Sequence, residues 1–331
     1  MFKRRIKNLI EAQFNIKNFI LKVPLLILSF FYFLLVVLRR FLYEKKIFKK
    51  IKVKCKVISI GNLTWAGTGK TELAKKIARF FTLKNKKVGI ILSHYAFDEY
   101  ELLKEELKGV NVYIGKKYMM AKKYELENDI LIIDDGFSHL KLYRDLEILI
   151  LDCVKKFGNQ MLLPGGILRE PVFFLKKADI LLLSYAQFLD KDFLKKISFF
   201  KKEIFFSYYK IERFLDLDTN QILNKNYLKD KRLGAFCSIG NPSGFFRILE
   251  EDLKILFKFS FLDHHRFTFK DIYFLKKISE KFNIEFWITT KKDLVRLKGF
   301  KLPFKILIAL AEFEIKDEER FFKSLLSKIN I

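Results

Sequence analysis

Two short strings carry side chains able to work on a phosphoryl group: Gly61–Thr71 reads GNLTWAGTGKT and Ile130–Gly136 reads ILIIDDG. In the first, Gly67 and Gly69 let backbone N–H groups turn inward around phosphate oxygens, and Lys70 and Thr71 follow at the spacing of a phosphate-binding loop. Lys70 can reach β- and γ-phosphates, and the Thr71 hydroxyl can ligate Mg²⁺. The strict pattern asks for a glycine where Thr64 stands, so the cradle is Thr64, Trp65, Ala66, Gly67, Thr68 and Gly69 leading into Lys70 and Thr71. In the second string an apolar run ends in two adjacent carboxylates, Asp134 and Asp135, either of which can complete a Mg²⁺–nucleotide site. Alone, GTGKT arises by chance and Asp-Asp is a solvated turn; a strand before each and a helix after the first make them a pair.

Three further strings are ambiguous by themselves. In LPGGILREP (Leu163–Pro171), Arg169 could set a planar guanidinium against phosphate oxygens, or be a surface arginine in an ordinary turn. Asp263-His264-His265 could orient an imidazole for proton transfer, or be a polar turn. Asp98-Glu99 reads as an unremarkable acidic pair.

Positioning these groups calls for a parallel sheet. From residue 53 short apolar runs alternate with helical periodicity: Val57–Ile60, Val88–Leu92, Val110–Ile114, Ile130–Ile133, Ile148–Leu151, Ile180–Ser184 and Glu203–Ser207 are candidate strands. Between the first two, Glu72–Thr82 puts Leu73, Ala74, Ile77, Ala78 and Phe81 on one helix face. Strands separated by helices predict an α/β fold with right-handed crossovers, and ligands belong at the carboxyl ends of its strands. Tyr208–Arg232 reads as irregular and polar, after which strand-like runs resume at Gly234–Ser238, Lys254–Ser260, Phe286–Thr289 and Phe304–Ala309. The expected organisation is an N-terminal segment (1–50), a phosphate-loop domain (51–210) and a smaller C-terminal α/β lobe (211–331).

The net charge of +26 invites nucleic acid as a partner, but only 13 of 64 basic residues are arginine. No zinc-finger, helix-turn-helix or RNA-binding signature accompanies them, so a nucleic-acid partner is not expected. Residues 1–56 hold fifteen basic residues against Glu11 and Glu44, and these flank the apolar run Val23–Leu38. That arrangement suits an anionic membrane face. As a helix the run would reach about 24 Å, short of the roughly 30 Å hydrocarbon core. It can lie at the interface, span with a tilt, or be a buried core helix. Cys55, Cys153 and Cys237 are too dispersed for a zinc site or a disulfide framework.

Taken together, the strings resemble the tetraacyldisaccharide 4'-kinase family of lipid A synthesis. GNLTWAGTGKT is similar to the family's GNL-[ST]-x-G-G-[ST]-G-K-T, and DDGFSHLKLYRDL to its DDGFQHRxLxRDL. LPGGILREP, FCSIGNPSGFF, FLDHHRFTFKDI and TTKKDLVRL resemble, in the same order, LPAGxLREP, FSGIGxPxxFF, FPDHHxFTxxDL and TTxKDAVKL. The resemblance implies a P-loop NTPase-like parallel sheet flanked by helices, with a membrane-associated N-terminal helix. It implies transfer of the ATP γ-phosphoryl group to the 4'-hydroxyl of a tetraacylated disaccharide 1-phosphate, using Mg²⁺, by a monomer at the cytoplasmic face of the bacterial inner membrane. Lys70 and Thr71 would hold phosphate and metal, Asp134 or Asp135 would complete the metal site, and Arg169 would bind phosphate. Asp98-Glu99 fall where the family has GDEP, so Asp98 would pair with His264 to activate the acceptor hydroxyl and Glu99 would serve the metal. The chain departs from the family at Ala66 (a glycine there), Glu72 (proline) and Ser138 (glutamine), and the basic loop before Asp98 is largely absent. A kinase acting on another membrane-borne acceptor, or a nucleotide-binding membrane protein with weakened catalysis, would share the donor half.

Overall fold

The computed structural model describes the chain from residue 16 to 330 except residues 66 and 264, with side chains from residue 23. Tyr208–Glu314 form one compact unit; the described chain up to Ser207, together with the segment from Ile315, forms the other.

The first unit is built on a parallel sheet whose order is β3 (Val110–Ile114), β2 (Val88–Leu92), β4 (Ile130–Asp134), β1 (Lys56–Gly61), β5 (Leu146–Asp152), β6 (Ile180–Ser184) and the start of β7 (Glu203–Asp216). β2, β4, β5 and β6 are buried at every position, which is why their middles read as apolar runs. Helix α2 (Lys70–Leu83) buries Leu73, Ala74, Ile77, Ala78 and Phe81, the stripe its periodicity predicts. Helices α3 (Phe97–Glu106) and α4 (Lys117–Lys123) follow β2 and β3. The C-terminal helix α10 (Glu318–Ile329) also packs here, stacking Phe322 on Phe80 at 3.9 Å and pairing Glu318 with Lys76 at 2.9 Å.

The N-terminal helix α1 (Ile16–Glu44) outruns the apolar segment at both ends. One face is docked. Tyr32, Phe33, Val36 and Val37 join the cluster around Phe137, Phe174 and Leu175. The Ser29 hydroxyl donates to the Leu162 carbonyl at 2.7 Å, and the Tyr32 hydroxyl to that of Arg169 at 3.1 Å. Arg40 is buried: its Nε meets Glu170 at 2.6 Å and its guanidinium lies over the Phe137 and Phe174 rings at 4.1 and 4.5 Å. The opposite face exposes Ile27, Leu28, Phe30, Phe31, Leu34, Leu35, Leu38 and Phe41. The stretch Val23–Glu44 is long and apolar enough to cross a membrane, with 11% of its most apolar window buried, so the buried-core reading is set aside.

Removing one member of a buried ion pair strands the other. Arg40→Ala is therefore expected to destabilise by about 3–5 kcal/mol. Arg40→Met/Glu170→Met should cost far less, and denaturant unfolding compares the two; equal losses would mean packing rather than charge dominates.

The second unit has its own parallel sheet, ordered β10 (Ile255–Ser260), β9 (Leu233–Cys237), β11 (Phe286–Thr290) and β12 (Ile306–Ile315). Trp287, Phe236 and Leu275 centre its core. Here the structure differs from the irregular segment expected after Tyr208. β7 continues to Asp216 and pairs antiparallel with β8 (Ile222–Asn224). Its outward Lys210 and Arg213 bond to Glu314 and Glu312 of β12, so charged residues alternate with buried ones and hide the strand.

Candidate active site

The register of β1 against β4 pairs Ile60 with Asp134, so the glycine-rich loop and the Asp-Asp turn leave the sheet side by side at its carboxyl edge. Gly69 opens α2 with φ of 94°, a left-handed conformation glycine adopts without strain. Gly136 answers a different need: a Cβ there would lie 2.1 Å from the Ser59 hydroxyl of β1, so only glycine lets the turn pass this close.

Lys70 reaches Asp135 at 3.4 Å, and the Thr71 hydroxyl donates to Asp134 at 3.4 Å. Arg169 closes a two-pronged ion pair on Asp135, Nη1 at 2.8 Å and Nη2 at 2.6 Å, and donates also to Asn62. Its loop is pinned to the phosphate loop: Trp65 N–H donates to the Ile167 carbonyl and Arg169 N–H to that of Leu63, both at 2.7 Å, beside a bridge between Thr64 and Leu168. Thr64 and Thr68 are buried, Trp65 and Gly67 exposed; Ala66 lies outside the described residues.

The two carboxylates sit in unlike fields. Burial raises the proton affinity of Asp134 against the opposing pull of Lys70. Burial acts the same way on Asp135, but Lys70 and Arg169 overcome it and hold that carboxyl well below the ordinary range. Asp134 Oδ1 is buried with no hydrogen-bond partner, and so is the Thr68 hydroxyl. Buried polar atoms rarely stay unpaired, so an oxygen aimed into a phosphate loop without a donor suits a hard cation. Glu99, in the first turn of α3, is near enough to raise Asp134 further. Among the described residues no three carboxylate, histidine or cysteine side chains form a metal cluster. A nucleotide-bound Mg²⁺ needs none, because it takes one or two carboxylates plus phosphate oxygens and water.

One participant carries no sequence signal. Lys117 is 2% exposed, and its ammonium donates to the Asp135 carbonyl at 2.7 Å, bracing a residue whose φ is 56°. Burial pulls this ammonium down to about 8, against the upward pull of Asp135 and Asp134. One lysine in a lysine-rich chain looks like any other until the fold buries it.

Asp98 stands beside Glu99 in the first turn of α3. Its expected partner His264 lies outside the described residues. The neighbouring His265 contacts Asp271 through Nε2 at 3.0 Å. Burial would raise the Asp271 carboxyl, but hydrogen bonds from His265 and Thr268 hold it low. The remaining two motifs in the second unit are tied together by Asp293, which is fully buried. It accepts from the Ser238 N–H at 2.9 Å, Thr289 at 3.1 Å and Thr290 at 2.6 Å, fixing the TTKKD turn to the end of β9.

A pH prediction follows from Asp134. As pH falls through a raised pKa the carboxyl takes a proton and can no longer bind metal. The acid limb of kcat/KM for ATP is expected above the usual carboxylate range, and excess Mg²⁺ should move it to lower pH. A limb indifferent to Mg²⁺ would mean that Asp134 does not hold a metal ion.

A family model described as tetraacyldisaccharide-1-P 4'-kinase matches residues 21–330. A tetraacyldisaccharide 4'-kinase of Bdellovibrio bacteriovorus is 32% identical over 298 residues, covering 82% of this chain and 88% of that one. Its counterpart in Desulfatibacillum aliphaticivorans is 31% identical over 99% of this chain and 98% of its own. Among solved structures, LpxK from Aquifex aeolicus in complex with ATP aligns with a TM-score of 0.67 at 28% identity, covering 93% of this chain and 99% of that one. With a phosphate loop and an Asp-Asp turn meeting at one sheet edge and a match along nearly its whole length, the chain belongs to the tetraacyldisaccharide-1-P 4'-kinase family.

Proposed function

We propose that this protein transfers the γ-phosphoryl group of ATP to the 4'-hydroxyl of a tetraacylated disaccharide 1-phosphate, a lipid A precursor. The observation that carries the reading is the juxtaposition of Lys70 and Thr71 with Asp134 and Asp135 at the sheet's carboxyl edge, in a chain of this family. The backbone of Gly67–Gly69 cradles phosphate oxygens and Lys70 neutralises charge on the transferring group. Asp135 and Arg169 satisfy one another in the structure. The guanidinium would bind phosphate oxygens and the carboxylate would serve the cation. Thr71 and Asp134, with Asp135 and Glu99, would hold a Mg²⁺ that would neutralise charge on the phosphate oxygens. By the family resemblance, Asp98 would take the proton of the acceptor hydroxyl. The new P–O bond forms at that oxygen while the bond to the β-phosphate breaks, and ADP leaves.

The acceptor is a lipid, and the exposed apolar face of α1 suits the bilayer that carries it. The kinase then works as a monomer at the cytoplasmic face of the inner membrane. Purified protein given ATP, Mg²⁺ and tetraacyldisaccharide 1-phosphate should form the 4'-phosphate; no product above a Lys70→Ala control would sink the reading.

A further inference from the structure

Beyond α1, the first unit carries a groove of about 480 Å³ that the phosphoryl-transfer chemistry does not use. It is lined by Val172, Asp192, Lys195, Lys196, Phe199 and Phe200. Phe199 is 82% exposed, just past the end of helix α5 (Lys191–Ser198). An isolated surface phenylalanine would mean little, but this one belongs to a continuous apolar strip. Phe33 of α1 meets the Phe173 ring edge-on at 6.4 Å, and Phe173 is itself exposed. Its neighbour Val172 lines the groove, and Val172, Phe200 and Phe33 pack on one core cluster.

The rim is basic. Lys195 and Lys196 are exposed in the last turn of α5, and Lys196 donates to the amide oxygen of Gln160 at 2.7 Å. Lys201 follows, and Lys176 sits over the Phe173 ring at 5.7 Å. Asp192 is the acid in the lining. Lysines at a helix end are by themselves explained by the helix dipole, and an apolar groove by imperfect packing. Together they match a ligand with a long apolar chain and an anionic head.

We propose that this groove binds an anionic phospholipid of the bilayer, with an acyl chain between Val172, Phe199 and Phe200 and the head-group phosphate on Lys195 and Lys196. The inference rests on the reading of α1 as membrane-facing, because that helix brings the strip to the lipid. A neutral lipid would leave the lysines unused, and a soluble anion would leave the phenylalanines unused.

The test is flotation of the full chain with vesicles of phosphatidylcholine alone or with one third phosphatidylglycerol. Wild-type protein should bind both and prefer the anionic vesicles. Lys195→Gln/Lys196→Gln should lose about thirtyfold in partition to anionic vesicles, two charges each contributing roughly five- to sixfold, with phosphatidylcholine binding unchanged. Phe199→Ser should weaken binding to both vesicle types. As a charge-matched control, Lys270→Gln/Lys277→Gln in the second unit should keep the preference. If the control loses as much as Lys195→Gln/Lys196→Gln, general charge accounts for the preference and the groove is not a lipid site. Equal wild-type binding to both vesicles overturns the groove and leaves α1 standing; binding to neither overturns both. All substituted positions are exposed or on the rim, and an unchanged melting temperature verifies folding.

Discussion

Lys70→Ala is expected to reduce turnover on the order of 10²–10³-fold while leaving the protein folded, since one preorganised charge opposite the developing transition-state charge is worth about that much. The structure makes the loss sharper than a missing phosphate contact. Lys70 acts on both carboxylates at once, opposing the raised proton affinity of Asp134 and helping to hold Asp135 low. Without it the two carboxylates repel each other and the incoming phosphates. The expected signature is a large fall in kcat with a steeper Mg²⁺ requirement, read from initial rates at several Mg²⁺ concentrations. Turnover within tenfold of wild type would place the γ-phosphate elsewhere.

Asp98→Ala is expected to cost a further large factor, on the order of 10²–10⁴-fold in kcat, as loss of a general base does. The KM for ATP should hardly move, because the role proposed for the side chain is on the acceptor hydroxyl. Glu99 stands next to it and feels Asp134 electrostatically, so Glu99→Ala should instead alter the Mg²⁺ dependence. This contrast between adjacent acids is the discriminating result. Near-normal turnover in Asp98→Ala would show that the shortened segment before α3 places its acid pair differently from the family pattern.

How far the sequence could be read depended on whether a signal was contiguous. Central parallel strands are buried on both faces, so β2 and β6 stand out as apolar runs at the residues expected. The phosphate loop and the Asp-Asp turn are likewise single strings, and their meeting follows from strand order. The second half of β7 was hidden because KIERFLD alternates charge with apolar residues along a strand whose outward side chains are tied into ion pairs. Lys117 and Arg40 were hidden for a related reason. Each is one cation beside another, Lys116 and Arg39, and only the helical phase decides which is buried. The partnership of Arg169 with Asp135 joins residues far apart in sequence, and nothing local announces it.

The segment from Leu162 to Glu170 touches α1 on one side, through Ser29, Tyr32 and Arg40, and the phosphate loop on the other, through Leu63 and Trp65. The N-terminal helix is therefore not a tether that can be cut to make a soluble enzyme. Removing it would uncover Phe137 and Phe174, strand the Glu170 carboxylate and loosen the strap that aims Arg169. A shortened chain should lose the phosphate affinity proposed for Arg169 as well as the proposed lipid contact, even when its acceptor is presented in detergent.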